Sequence, residues 1–314
     1  MKALLVSPRG FCAGVRRAID IVDLALQKFP TPIYVRKEIV HNKNVVEDFK
    51  KRGVIFIDEV AEAPAGATVV FSAHGIAPSV RDDAKSRELK TIDATCPLVT
   101  KVHLEVHRFL RDDFSLLLIG HKHHDEVVGT MGEAPGKIQL VETEEDVKTI
   151  QVPNPDKVMV LTQTTLSVDE TKGILSAIRA RFPNAKTPPN DDICYATQNR
   201  QDAVRELLNR GIDALIVVGS KNSSNSQRLC DVARESGTRA YLIDQASEIQ
   251  SEWVAGAEKV GITAGASAPE HLVQEVVERL RVNFGAEVED VFVREENVVF
   301  SLPKELTSAS ATIR

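Results

Sequence analysis

The sequence predicts an α/β fold made of three pseudo-repeated α/β domains with parallel-type sheets. Three observations carry this prediction. Short apolar runs alternate with helix-period segments through most of the 314 residues, the pattern of parallel α/β units. Three cysteines, Cys12, Cys96 and Cys194, each stand just before a helical stretch: "AGVRRAIDIVDLAL", "PLVTKVHLEVHRFL" and "YATQNRQDAVRELL". A polar loop then follows each at nearly constant distance. It is 29 residues from Cys12 to His41, 28 from Cys96 to His124 and 29 from Cys194 to Ser223. Self-similarity of this kind marks one supersecondary unit used repeatedly.

The elements follow in order. Strands are expected at 3–6, 32–35, 54–57, 68–71, 115–119, 138–141, 158–161, 214–218, 240–243 and 260–263, each a short apolar run. Helices are expected between most of them, at 82–89, 101–111, 168–182, 199–209, 225–236 and 270–283. In each unit a second polar loop closes a later strand: "VVFSAHG", "VLTQTTLS" and "GITAGAS". The division is a leading strand and first cysteine at 1–12, then domains at 13–95, 96–192 and 193–281. A tail follows at 282–314, with two short apolar stretches, "VEDVFV" and "NVVFSL". Its end, "TSASATIR", is expected to be disordered.

Composition narrows the function. The formal net charge is -6 and no dense Lys/Arg run occurs, which argues against a nucleic-acid partner. No segment has the apolar length of a membrane span. The opening "MKALLVSPRG" is too short in apolar residues for a signal peptide, so a cytoplasmic protein is expected. Four cysteines in so long a chain do not suggest a disulfide framework.

The cysteines are the first chemical signal. A lone cysteine is usually a small buried hydrophobe, and Cys230, at no repeat position, is read that way. Three cysteines at equivalent positions, each at a helix start where a thiolate is favoured, read as ligands. Cysteine pairs of the structural-zinc type are absent. Three thiolates and an open position suit a catalytic zinc or an iron–sulfur cluster, with cysteine-only ligation leaning toward the latter. The strand-end loops are the second signal. They hold His41, His74, His124, Thr164, Thr165, Ser223, Ser224, Asn225 and Ser267. "GSKNSSNS" is either a helix cap or a cradle for an anionic group such as a diphosphate. In "HKHHDE", Glu126 is a candidate proton-transfer group; zinc held by His121, His123 and His124 ranks last, because adjacent positions splay apart.

Eight ordered motifs then meet a known pattern: "PRGFCAGV", "FSAHG", "DATCPLVTKVH", "GHKHHDEVVGTMG", "TQTTLS", "DDICYATQNRQ", "GSKNSSNS" and "TAGASAP". Together, over residues 8 to about 269, the chain resembles the 4-hydroxy-3-methylbut-2-enyl diphosphate reductase family, of the methylerythritol phosphate route of isoprene biosynthesis. The resemblance implies three domains around a central [4Fe–4S] cluster on Cys12, Cys96 and Cys194, with one iron lacking a protein ligand and prone to loss in air. It implies Glu126 as proton donor, with Thr164 holding the substrate hydroxyl. It places the diphosphate on His41, His74, His124, Ser223, Ser224, Asn225 and Ser267, with Thr165 beside them. It further implies an electron donor such as flavodoxin or ferredoxin. The competing expectations are a zinc hydrolase and a non-catalytic phosphometabolite-binding protein.

Overall fold

The computed structural model describes residues 1–188 and 192–307; the expectation for 308–314 lies outside the described residues. The strands are β1 (Lys2–Ser7), β2 (Ile33–Arg36), β3 (Val54–Ile57), β4 (Thr68–Phe71), β5 (Lys90–Asp93), β6 (Ser115–Ile119), β7 (Ile138–Val141), β8 (Val158–Thr162), β9 (Ala214–Val218), β10 (Arg239–Ile243), β11 (Lys259–Ala264) and β12 (Glu287–Phe292). The helices are α1 (Ala13–Lys28), α2 (Lys43–Lys51), α3 (Pro78–Ser86), α4 (Pro97–Arg111), α5 (Asp125–Gly132), α6 (Glu144–Thr149), α7 (Val168–Arg181), α8 (Tyr195–Asn209), α9 (Ser224–Glu235), α10 (Ser251–Val254), α11 (Glu270–Phe284) and α12 (Lys304–Thr307).

Among the described residues the strands form three sheets, and every pairing among them is parallel. The chain condenses into two compact units. The first comprises Met1–Val15, His41–Asp48 and Tyr195–Val299. It holds a five-stranded sheet of order β10-β9-β11-β1-β12. Its two apolar layers lie on opposite faces of the sheet, since alternate residues of β1 enter different clusters. Ala3 and Leu5 join Val273 and Val276 of α11, while Leu4 and Val6 join Val204 and Leu207 of α8. The second unit comprises Arg16–Val40, Phe49–Cys194 and Phe300–Arg314. It holds two smaller sheets, β3-β2-β4-β5 and β7-β6-β8.

Strands β4, β6, β8 and β9 are buried at every position. Cover on both faces explains why they read as unbroken apolar runs. Helix starts are set locally. Pro78 and Pro97 stand at the first turns of α3 and α4, where a missing N–H costs nothing. The hydroxyls of Thr143, Ser167 and Ser223 accept backbone N–H groups at the starts of α6, α7 and α9. Gly285 ends α11 in the left-handed conformation (φ 63°).

Two strands depart from the sequence expectation. β5 has a single buried residue, Ile92, and lies at a sheet edge. β12, within the expected tail, pairs with β1 over six residues, from Lys2 opposite Glu287 to Ser7 opposite Phe292. It too is an edge strand, and only Val291 is fully buried. Edge strands bury too little surface to need an apolar run.

Candidate active site

The polar loops all follow carboxyl ends of parallel strands, where open α/β sheets bind ligands. In the first unit, β1 runs into a turn that delivers Cys12 to the start of α1. Gly10 adopts φ 64°, and a Cβ there would lie 3.1 Å from the Ala268 carbonyl, so glycine is required twice over. Gly10 N donates to Ala264 O and Cys12 N to Ala266 O, both at 3.2 Å. Cys12 is half-buried, and its Sγ accepts the Val15 N–H at 3.5 Å.

A buried guanidinium braces this turn. Arg200 has no exposed surface. Its Nε and Nη2 donate to Gly10 O at 3.1 and 2.7 Å, and its Nη1 pairs with Glu296 Oε1 at 3.0 Å. The Tyr195 hydroxyl accepts the Ala13 N–H at 3.4 Å. Burial, with the negative charge of Cys12 second, pushes its pKa up to about 12.

The remaining donors of this unit form separate hydrogen-bonded groups. Ala266 N donates to Asn225 Oδ1 at 2.8 Å, and Asn225 Nδ2 to Thr197 Oγ1 at 3.3 Å. Ser267 Oγ donates to His41 O at 2.8 Å. Ser223 caps α9, accepting from Ser226 N at 3.3 Å and from the Ser226 hydroxyl at 3.0 Å. Ser224 is the first residue of that helix. A Cβ on Gly219 or Gly265 would collide with the Ser226 side chain. These glycines let α9 seat its start against the ends of β9 and β11. Cys12, His41, Ser223, Asn225 and Ser267 therefore share one end of one sheet.

In the second unit, Cys96 is the N-cap of α4 and donates its N–H to Ala73 O at 2.9 Å. Cys194 precedes α8 and donates its N–H to Thr164 O at 3.0 Å. Both are half-buried. Arg17 stands close to Cys96: burial lowers its pKa, and the charges of Asp93 and Cys96 oppose that shift. Cys230, by contrast, is 1% exposed, and burial pushes its thiol up to about 12. Each of the three half-buried cysteines stands at a helix start, where a thiolate is favoured, while the fourth lies inert in a core.

His74 and His124 meet edge to face, with ring centroids 5.9 Å apart. His124 caps α5, its Nδ1 accepting the Glu126 N–H at 3.2 Å. That bond leaves the ring proton on Nε2. It also leaves loop 121–124 unsuited to a three-imidazole zinc site, since His123 is exposed and His124 Nδ1 is occupied. Thr165 Oγ1 accepts from Gln163 Nε2 at 2.8 Å, and Gln163 Oε1 accepts the His121 N–H at 3.0 Å.

Glu126 is the centre of this half. It is 3% exposed. Thr164 N donates to its Oε1 at 2.7 Å and the Thr164 hydroxyl to its Oε2 at 2.9 Å. Burial pushes its pKa up to about 7, against the lowering effect of the Thr164 hydrogen bonds and His103. A carboxyl poised at neutrality and touching a hydroxyl is equipped to pass a proton. Sequence reasoning missed Arg200, Glu296, Ser226, Thr197 and Gln163.

Comparison with known proteins now gives the class. Residues 3–281 match the model of the LytB protein family. The chain is 57% identical over 309 residues to the 4-hydroxy-3-methylbut-2-enyl diphosphate reductase of Aeromonas hydrophila, covering 98% of this chain and 99% of that one. It is 56% identical to the protein of the same name from Azoarcus sp., covering 98% of each. The solved E-1-hydroxy-2-methyl-but-2-enyl-4-diphosphate reductase of Plasmodium falciparum superposes with a TM-score of 0.94 at 38% identity, over 98% of this chain and 96% of that one. A solved (E)-4-hydroxy-3-methyl-but-2-enyl diphosphate reductase, titled the terminal enzyme of the non-mevalonate pathway, gives a TM-score of 0.64 at 34% identity, over 90% and 99%. These findings define an α/β oxidoreductase. The chain belongs to the LytB protein family.

Proposed function

We propose that this enzyme reduces 4-hydroxy-3-methylbut-2-enyl diphosphate, removing the hydroxyl as water to give isopentenyl and dimethylallyl diphosphates. The observation that carries the reading is the buried Glu126–Thr164 pair, a carboxyl pushed up to about 7 beside a hydroxyl. The names of the relatives support the substrate.

Cys12, Cys96 and Cys194 would hold a [4Fe–4S] cluster with one iron free of protein ligands. When bound, that cluster supplies electrons and a Lewis-acidic iron, which an allylic hydroxyl needs because hydroxide is a poor leaving group. The chain's own residues do the rest. His41, His74, His124, Ser223, Ser224, Asn225 and Ser267 grip the diphosphate through imidazole, hydroxyl and amide donors, aided by the start of α9. Thr165 lines the same loop as Thr164. The Thr164 hydroxyl orients the substrate oxygen, and Glu126 delivers the proton that leaves with it. Electrons come from an outside carrier such as flavodoxin or ferredoxin.

The test is Glu126→Gln in anaerobically reconstituted protein. Turnover is expected to fall by about 10²–10⁴-fold, the usual worth of a general acid, with substrate binding retained. Undiminished turnover would remove Glu126 from the mechanism. Iron and sulfide analysis of single Cys→Ser variants tests the ligands. Cys12→Ser, Cys96→Ser and Cys194→Ser should each lose iron, and Cys230→Ser should keep it.

A further inference from the structure

We propose that the outward face of α4, in the second unit, is the docking surface for a small acidic electron-carrier protein. This rests on the reductase reading above, which requires electrons from outside the chain.

Helix α4 is amphipathic. Val99, Val102, Val106 and Phe109 enter the core. On the opposite face Leu104 is 64% exposed, an apolar side chain that packs against nothing in its own core. Leu104 is the ridge between two surface grooves. The first is lined by Arg17, Lys101 and Arg108, the second by His107, Arg111 and Lys137. The acids in these grooves are paired or largely buried. Glu133 is held by His103 at 2.8 Å and His107 at 2.7 Å, and Glu105 is only 12% exposed at its side chain. Lys101 pairs with Asp192 at 3.0 Å, His107 is on Glu133, and Arg17 faces Asp93 and Cys96, so the surplus positive charge rests on Arg108, Arg111 and Lys137. A protein of net charge -6 thus presents a local cationic rim around one exposed leucine. That is the complement of an acidic partner with a small apolar contact.

Position supports the choice of partner. The first groove is also lined by Thr95 and Pro97, the two neighbours of Cys96. A carrier seated there lies beside a proposed cluster ligand at the start of the same helix. Each reduced carrier is oxidised by one electron. Two such encounters, with two protons, reduce the allylic carbon–oxygen bond and release its oxygen as water.

The experiment measures binding and turnover separately. Fluorescence anisotropy of a labelled acidic flavodoxin is read against reconstituted wild type and the double variant Arg108→Glu, Arg111→Glu. Turnover is read with reduced flavodoxin and, in parallel, with dithionite-reduced methyl viologen, which needs no docking surface. The double variant is expected to bind flavodoxin about 10-fold or more weakly and to raise its KM in proportion, with unchanged dye-driven turnover. Wild-type binding should weaken steeply with salt. Leu104→Asn, which changes no charge, should weaken binding with little change in salt dependence, and it serves if the double variant misfolds. Unchanged flavodoxin affinity in these variants overturns the proposal. So does self-association through this face, abolished by Leu104→Asn while flavodoxin kinetics stay intact. A wild type that turns over nothing with the dye refutes the reductase reading instead, and the anisotropy still decides the surface.

Discussion

Glu126 combines one cause with two effects. Burial raises its pKa from the usual 4.5 to about 7, so the folded protein holds a proton that the unfolded chain releases. Between those values the native state binds more protons. Stability contributed by this group is therefore present below about pH 4.5 and is lost as pH rises through about 7. The size is on the order of 3 kcal/mol. Glu126→Gln removes the dependence. The Tm of the variant relative to wild type, at equal cluster loading, should rise between pH 5 and pH 8; a constant difference would mean the carboxyl is not so perturbed. The same titration tests the proposed mechanism. With the protonated acid as the proposed donor, turnover should fall as pH rises through about 7. Glu126 and Thr164 could be singled out in the sequence because each sits in a dense polar motif at a strand end. Their hydrogen bond could not, because the two are 38 residues apart and only packing brings them together.

At the scale of elements, strand ends and helix starts are fitted by small residues and braced by large ones. Ser226 occupies the space beside Gly219 and Gly265. Gly265→Ala should force α9 away from β11 and cost about 1–3 kcal/mol, read by denaturant unfolding, with diphosphate affinity falling as well. Retained affinity would show that the start of α9 does not set the grip. Arg200 has the complementary role. Arg200→Ala frees the Gly10 carbonyl and leaves Glu296 without its buried partner, at a cost of about 3–5 kcal/mol. Iron content should drop with it, because the turn that presents Cys12 loses its brace. Most strands were legible as apolar runs to within about a residue, since double-sided burial imposes that composition. β5 and β12 were not, because an edge strand can be polar on most positions. Arg200 was not legible either: periodicity assigns an arginine to solvent, and only the fold reveals what it holds.

At the scale of the molecule, residues 287–307 serve both compact units in turn. β12 extends the first sheet beside β1, the strand that leads into Cys12. Val291 packs with Leu4 and Val6, and beyond it Arg294 donates to Asn199 Oδ1 at 2.8 Å while Glu296 meets Arg200. Further on, within the second unit, Ser301 O accepts from Arg17 Nε at 2.7 Å, Leu306 is 2% exposed, and its carbonyl accepts from Lys28 Nζ. Two truncations separate these roles. Removing 300–314 takes away one buried leucine and two carbonyl partners, about 2–4 kcal/mol. Such a protein should melt at lower temperature yet keep its iron. Removing 287–314 also strips β12, exposes the edge of β1 and leaves the Arg200 charge buried without Glu296. That protein should fail to retain iron even after anaerobic reconstitution. Equal iron in both truncations would show that the Cys12 turn is held by β11 and the loop after it alone, with the Gly10 and Cys12 backbone bonds to Ala264 and Ala266 sufficient to present the thiolate.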